Sequence, residues 1–576
     1  MALGVPSSSP AVVIKEVDAS ASINTAATTI GASVGNFRWG PMDTPVTVAN
    51  ETELAETFGT PDDTHSVDFH TAAYYLKYAD NLKMVRVQGD DHRNAYDSDA
   101  NAGASDTLIK NADDWEAGQA GHDSDKHTFI ARWAGTAGNT LKVEVCPADA
   151  NDSAFDGWAY KANFDAAPGT SSYASDRNAT RDEVHVAVID VNGEFATRGT
   201  VLEKFQFVSV GKGAKNTDGS TNYILDVINN GSEYVWMAGF GDASKFDAQA
   251  GDAIDSGVDY SRNTITSITL KNGRDVAAPT VGNYQGAFDE LEDEVTVDAD
   301  VVFVPSMSTS TDAKTLVNDV VATAKDRKDI IVAASPSRAS IVGVNSAATM
   351  NSNVITEAAG YTYSNYLVAD NNFLKVYDKY NDKYIQIPAC SSTAGIMTAT
   401  ATNAAPWVSP AGGRRGNYLG ITSVAYSPTK AQRDALYKVG INPVANIPGQ
   451  GVILYGDKTH ITRQSAFSRI NVRRLFTTLE KAIGEFAKQS LFELNDEFTR
   501  AEFVINVEPL LREVQGRRGI TDFRVVCDET NNTASVVDRN EFVASIFIKP
   551  ARSINFITLN FVATRSGATF EEVVGT

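Results

Sequence analysis

VVFVPSMSTSTDAKTLVNDVVATAKDRKDIIVAA, residues 301–334, is the stretch that decides the fold. Val301–Val304 is an unbroken apolar run without alternation, the pattern of a strand covered on both faces. From Asp312 to Ala324 the spacing changes. Leu316, Val317, Val320, Val321 and Ala324 recur at helical period, so a helix follows the strand. Ile330–Ala334 is a second buried strand. Strand, helix and strand this close together give a right-handed βαβ crossover and a partly parallel sheet.

Outward from this unit, the spacing predicts further elements. Residues 11–17 (AVVIKEV) read as a strand with no hairpin partner nearby, so it must pair with something distant. Asn50 caps a helix over NETELAETFG that stops at Gly59. Leu141–Cys146 and Val184–Asp190 are strands, and Asn192-Gly193 is a plausible hairpin turn before Glu194–Arg198. Residues 90–182 and 238–285 are rich in Asp, Ser, Asn and Gly, the texture of loop-rich insertions. In the C-terminal part, Val472, Leu475, Phe476, Leu479, Ile483, Phe486 and Leu491 form an apolar helical stripe. Asn495 or Asp496 caps a second helix, which Pro509 must kink or interrupt. Phe523–Cys527 and Phe542–Ile548 are strands. A last strand, Ile554–Val562, is apolar on both faces and needs cover on both.

Composition narrows the function. The chain has 576 residues, enough for three or four domains, with 72 acidic against 50 basic side chains. That excess argues against a nucleic-acid or anionic-membrane partner. Cys146, Cys390 and Cys527 are far apart and lack CxxC spacing, which points to buried thiols in a reducing compartment. Met1–Pro10 lacks the basic and apolar regions of a signal peptide, and no apolar run is long enough to span a bilayer.

Motifs for chemistry are weak. Gly31-Ala32-Ser33-Val34-Gly35 matches the nucleophile-elbow pattern, but the following Asn36–Pro41 cannot be the required helix, so a coincidental turn is expected. In Gly451–Thr459 an inserted Asp457 separates Gly456 from Lys458 and spoils a P-loop. Asp97–Gly103 lacks the closing Glu of a calcium loop. His65/His70 and His122/His127 miss the spacing that places two ligands on one helical face. No cofactor is expected. A serine hydrolase built on Ser33 or Ser391 is one alternative, and an extracellular adhesin another. Arg463, Arg469, Arg473, Arg474 and Lys481 concentrate positive charge in an acidic chain, either as a solvated helix face or as a docking face for an acidic protein.

Several segments resemble the tail sheath proteins of contractile-tailed bacteriophages of the large-myophage type. They are INPVANIPGQGVILYGDKT (441–459), INVRRLFTTLEKAI (470–483), NDEFTRAEF (495–503) and the strand-rich run 519–561. SPAVVIKEVD (9–18), VGNFRWGPMDTP (34–45) and ARWAGTAGN (131–139) also fit. The resemblance implies subunits that stack as six-membered rings around a tail tube, contract, and drive the tube through the host envelope. Its partners would be other copies, the tube, the baseplate and the tail terminator. The virion would be its location, after assembly in the host cytoplasm.

The implied fold is a multidomain α/β and α+β chain. Its mixed-sheet core would come from the C-terminal part plus the N-terminus, with outward-facing β-rich insertions and extended arms. The expected division is an arm at 1–20, a middle β-rich domain at 21–95 and 185–295, and an outer insertion at 96–184. An α/β domain at 296–440, a C-terminal assembly domain at 441–550 and an arm at 551–576 complete it. Val12, Val13, Ile14 and Val17, with Ile554, Phe556, Ile557, Leu559 and Phe561, would add strands to neighbouring subunits. Arg463, Arg469, Arg473, Arg474 and Lys481 would face the tube.

Overall fold

The structure is a computed structural model that describes residues 29–97, 107–118, 127–240, 246, 249–276 and 278–555. It is a mixed α/β chain with several sheets, in two units: one holds Thr28–Pro406 and Pro410–Arg473, the other Trp407–Ser409 and the chain from Arg474 onward.

The larger unit is built around β1 (Gly31–Gly35), the segment expected to be a chance turn. It is instead a fully buried strand. The reason is its small side chains: a Cβ on Gly31 would lie 2.3 Å from the Tyr75 ring, so the helix Ser66–Tyr75 could not pack against this strand. Ser33 points its hydroxyl at the Phe303 carbonyl, 2.6 Å away, and is a structural donor. Beyond it come β2 (Val46–Val48), the helix α1 (Glu51–Phe58) and β3 (Leu82–Arg86). Asn50 caps α1 by accepting the Thr52 and Glu53 amides, and Gly59 closes it at φ 77°, as the sequence indicates.

After β3 the chain builds two antiparallel sheets. The strands are β4 (Asn94–Tyr96), β5 (Phe129–Ala134), β6 (Leu141–Pro147), β7 (Glu183–Asp190), β8 (Thr200–Ser209), β9 (Val235–Met237) and β10 (Thr266–Thr269). Their orders are β4-β5-β9 and β10-β6-β7-β8. The expected boundary at 184 therefore fails, because β6 lies on one side of it in sequence and is flanked by β7 and β10 from the other. The Asn192-Gly193 hairpin also fails. The Asp190 carboxylate accepts the amides of Gly193, Phe195 and Ala196, folding a longer loop around itself, and no strand forms over Glu194–Arg198.

The insertion is fastened to the parallel sheet. Arg86 is fully buried, donates to the carbonyls of Phe37 and Gly40, and lies 3.8 Å from Asp275. Arg38 pairs with Glu194 at 2.6 Å. Gly89 passes so close to Val276 that a Cβ would sit 2.6 Å from its side chain.

The chain returns through β11 (Val301–Phe303), α2 (Ser310–Arg327) and β12 (Ile331–Ala334), the predicted crossover unit, with the five predicted apolar residues of α2 buried. Then follow β13 (Leu367–Asp370), an antiparallel group β14 (Phe373–Asp378), β15 (Lys383–Pro388) and β16 (Ser423–Val424), and β17 (Ile441–Asn442). Between β15 and β16 lies the helix α3 (Cys390–Asn403). The main sheet runs β17-β13-β12-β11-β1-β3-β2, parallel except at β2. Residues 31–86 thus share a sheet with 301–442, while Asn94 and Ala95 of β4 lie in the sheet that also holds β9 (Val235–Met237). The order in which strands are added reverses between β1 and β11, where open α/β sheets bind ligands. Here the chain's own side chains occupy that place: Asp68 accepts the Asn36 amide and the Tyr284 hydroxyl, at 2.9 and 2.8 Å.

The would-be P-loop is also structural. β18 (Val444–Ile447) and β19 (Gly451–Leu454) form a hairpin, and Asp457 is spent on an ion pair with Arg469. All three cysteines are free and buried.

At the end of β13, Asp370 is buried and accepts the hydroxyls of Ser335 and Thr393 and the Asn372 amide. Burial outweighs these donors and pushes its carboxyl up to about 7. A carboxyl that binds its proton more tightly in the folded state makes stability fall as pH rises from about 4 to about 7. Urea unfolding at pH 5 and pH 8 should show this loss. Asp370→Asn should reduce the difference between the two pH values by on the order of 1–3 kcal/mol.

Candidate assembly surfaces

The smaller unit begins within α5, whose span follows α4 (Lys430–Lys438) and covers Ile470–Gln489. Leu475 and Leu479 of the predicted stripe are buried, while Leu491 lies beyond the helix and is exposed. Helix α6 (Glu497–Gly516) is capped by Asp496, which accepts the Thr499 amide at 2.9 Å. It buries Phe503, Val507, Leu510, Leu511 and Val514 at helical spacing and carries Pro509 within its span. Phe503 joins Phe486 and Phe542 in an aromatic cluster. Trp407 packs on Gly519 and donates to the Arg517 carbonyl, tying residues 407–409 to the end of α6.

After α6 the chain forms a two-stranded antiparallel ribbon, β20 (Ile520–Val526) and β21 (Ser545–Pro550), close to the strands read from the sequence. Among the described residues neither strand pairs with a third, so both outer edges are open to a further strand, although side chains of Gln515 and Asn531 engage the Thr521 and Val526 carbonyls. Two strands alone are marginal. Exposed apolar side chains gather in the same unit: Leu491, Phe492, Leu494 and Phe498 around the α5–α6 turn, Ile505 on α6, Phe547 on β21, and Ile554 at 81% exposure. A concentration of this kind marks an interaction surface.

The expected strand donors are mostly outside the described residues. Val12, Val13, Ile14, Val17, Phe556, Ile557, Leu559 and Phe561 all lie there, as do His122 and most of Asp97–Gly103. Ile554 is described, past the end of β21 and not in a strand.

The expected basic face is dispersed. Arg463 is exposed and Lys481 half-buried. Arg469 is held by Asp457 at 2.7 Å and by the Tyr437 hydroxyl at 2.5 Å. Arg473 is buried, with its guanidinium over the rings of Tyr366 and Phe467, and Arg474 is buried as well. The first turn of α5 is enclosed beyond its apolar stripe, so flanking arginines are covered too. A helical-period reading could not see this. It also passed over the basic residues before α5, Arg414, Arg415, Lys430, Arg433 and Lys438, because they are spread over a loop and a helix. The available signal was the scarcity of acids: between Tyr384 and Leu479 there are ten basic residues and two acidic ones.

Residues 277–460 match the phage tail sheath protein central domain, and residues 462–564 match the phage tail sheath C-terminal domain. The tail sheath protein of Vibrio phage KVP40 is 31% identical, over 98% of this chain and 99% of its own length. The chain belongs to the phage tail sheath family. The tail sheath protein of Enterobacteria phage T4 is likewise 31% identical, with the same shares of each chain covered. The fold agrees. The crystal structure of the sheath tail protein from Listeria innocua superimposes with a TM-score of 0.52 at 12% identity, covering 91% of this chain and 95% of that one. As a tail sheath protein the chain is a structural component of the contractile tail of the virion.

Burial separates the arginines by role. Arg473→Ala should lower the stability of the isolated chain by about 2 kcal/mol in urea unfolding, through lost packing and cation–π contact. Arg463→Glu should leave the unfolding midpoint unchanged.

Proposed function

We propose that the chain polymerises as stacked six-membered rings around a tail tube and contracts to drive that tube through the host cell envelope. The observation that carries this reading is the open ribbon β20–β21 within a chain of the tail sheath family. A strand from a neighbouring copy can join either outer edge, each backbone hydrogen bond contributing on the order of 1 kcal/mol net and each buried Phe or Leu about 2 kcal/mol. The apolar strand pattern at 554–562 and the orphan pattern at 12–17 supply segments suited to that role. Val12, Val13, Ile14 and Val17 would join one edge, and Ile554, Phe556, Ile557, Leu559 and Phe561 another.

A mesh of shared strands can persist while subunits rotate against one another. New contacts between subunit faces then supply the work, with no nucleotide hydrolysed. Of the five basic residues, Arg463 is the exposed one and the best suited to facing the tube. The baseplate and the tail terminator would bound the polymer at its two ends, after assembly in the host cytoplasm.

Two truncations test the arms. Removal of residues 1–17, or of residues 554–576, should leave a chain with native circular dichroism that no longer forms rings or tubes in negative-stain micrographs. Normal tubes from both truncated chains would refute strand sharing.

A further inference from the structure

The charge of this chain is unevenly distributed. From Asp90 to Asp275, acidic residues outnumber basic ones 30 to 16, so the insertion holds most of the acidic surplus. From Tyr384 to Leu479 the balance reverses to ten basic against two acidic.

The fold gathers part of that basic segment into one place. The loop carrying Arg414 and Arg415 is pinned at both ends to Leu454: the Gly412 amide donates to the Leu454 carbonyl and the Leu454 amide to that of Gly416, at 2.9 and 2.8 Å. The next residue, Tyr455, is 51% exposed, and the Arg433 guanidinium of α4 lies 5.4 Å from its ring centre. Lys430 and Lys438 stand exposed at the two ends of α4. Of the two acids in the segment, Asp457 is buried and engaged by Arg469, which leaves Asp434 as the exposed one. The result is a basic face with an exposed tyrosine beside Arg433. Arginine and tyrosine together are the composition of interface anchors.

We infer that this face, formed by Arg414, Arg415, Lys430, Arg433, Lys438 and Tyr455, docks the acidic insertion of a second copy of the chain. The second copy is favoured because the complementary charge is present in the same sequence, in a body fastened to the sheet by Arg86 and Arg38. A contact between two different surfaces of identical chains is heterologous. It leaves each copy with one face of each kind free, and so propagates into rings or helices. Opposite charge across it speeds encounter and sets register, and makes it sensitive to salt. The inference rests on the self-assembly reading above and names one of its contacts.

The test uses the full chain, mixed in equal parts as unlabelled and 15N-labelled protein and assembled at low salt. A carbodiimide then joins lysines directly to carboxylates in contact, and mass spectrometry identifies links between the two isotopic forms. The expected result is inter-copy links from Lys430 or Lys438 to acidic residues between 90 and 275. Arg414→Glu with Arg433→Glu should raise the concentration for half-assembly about tenfold at low salt, with a smaller effect at high salt. Unchanged circular dichroism would show that the variant remains folded.

Tubes in which Lys430 and Lys438 link elsewhere, or in which the double variant assembles like the parent, would overturn the inference alone. Failure of the parent chain to form any polymer would overturn the assembly reading as well. Tight binding of a labelled oligonucleotide, lost in the double variant, would assign the face to nucleic acid instead.

Discussion

Strand β1 lies between β3 and β11 in two parallel ladders, and the larger unit depends on that seating. It joins residues 31–86 to residues 301–442 in one sheet, across a gap of 270 positions at the Gly31–Val301 pair. Closing a flexible loop of that length would cost about 5 kcal/mol in chain entropy by itself. The intervening chain lowers the cost by folding with its ends together. Arg93 and Arg274 exchange backbone hydrogen bonds, and the chain crosses itself at Gly89 and Val276. The insertion therefore acts as a clip, presenting β11 to β1.

The parts legible in the sequence are those whose side chains carry a period. The unit β11-α2-β12 could be read because its helix shows apolar residues on one face and its strands show none that are polar. Helix α6 could be read from its Asp496 cap and the ribbon from its β-branched and aromatic residues. β1 could not: Gly-Ala-Ser-Val-Gly has neither alternation nor bulk, since its task is to let a helix approach. The insertion's two sheets were also illegible as a unit. Their strands pair across long separations, and composition along the chain says nothing of which strand flanks which.

The candidate surfaces divide along the same line. Charge can be counted from the sequence, but burial cannot, and Arg473 looks like any surface arginine until Tyr366 and Phe467 are placed beneath it. Conversely, the Arg414–Arg415 loop and α4 show no shared pattern as text, and the end of β19 links them: the loop is bonded to Leu454 and Arg433 lies over Tyr455. The acidic excess that argues against nucleic acid is a property of the insertion more than of the chain. A whole-chain charge conceals two regions of opposite sign.

The separation of β1 from β11 also has a meaning in time. A ribosome adding 5–20 residues per second needs on the order of 15–50 s to travel from Gly31 to Val301. For most of that interval β1–β3 can exist as a nascent ribbon in the order β1-β3-β2, whose edge strand β1 lacks its β11 neighbour. The insertion, whose own hydrogen bonds reach as far as Asp275, emerges in full before β11 does. It has the opportunity to fold first and to shield the waiting edge by its attachment at Arg86. If copies of the chain assemble by sharing strands, as proposed above, that order of events would keep unfinished chains from pairing with one another too early.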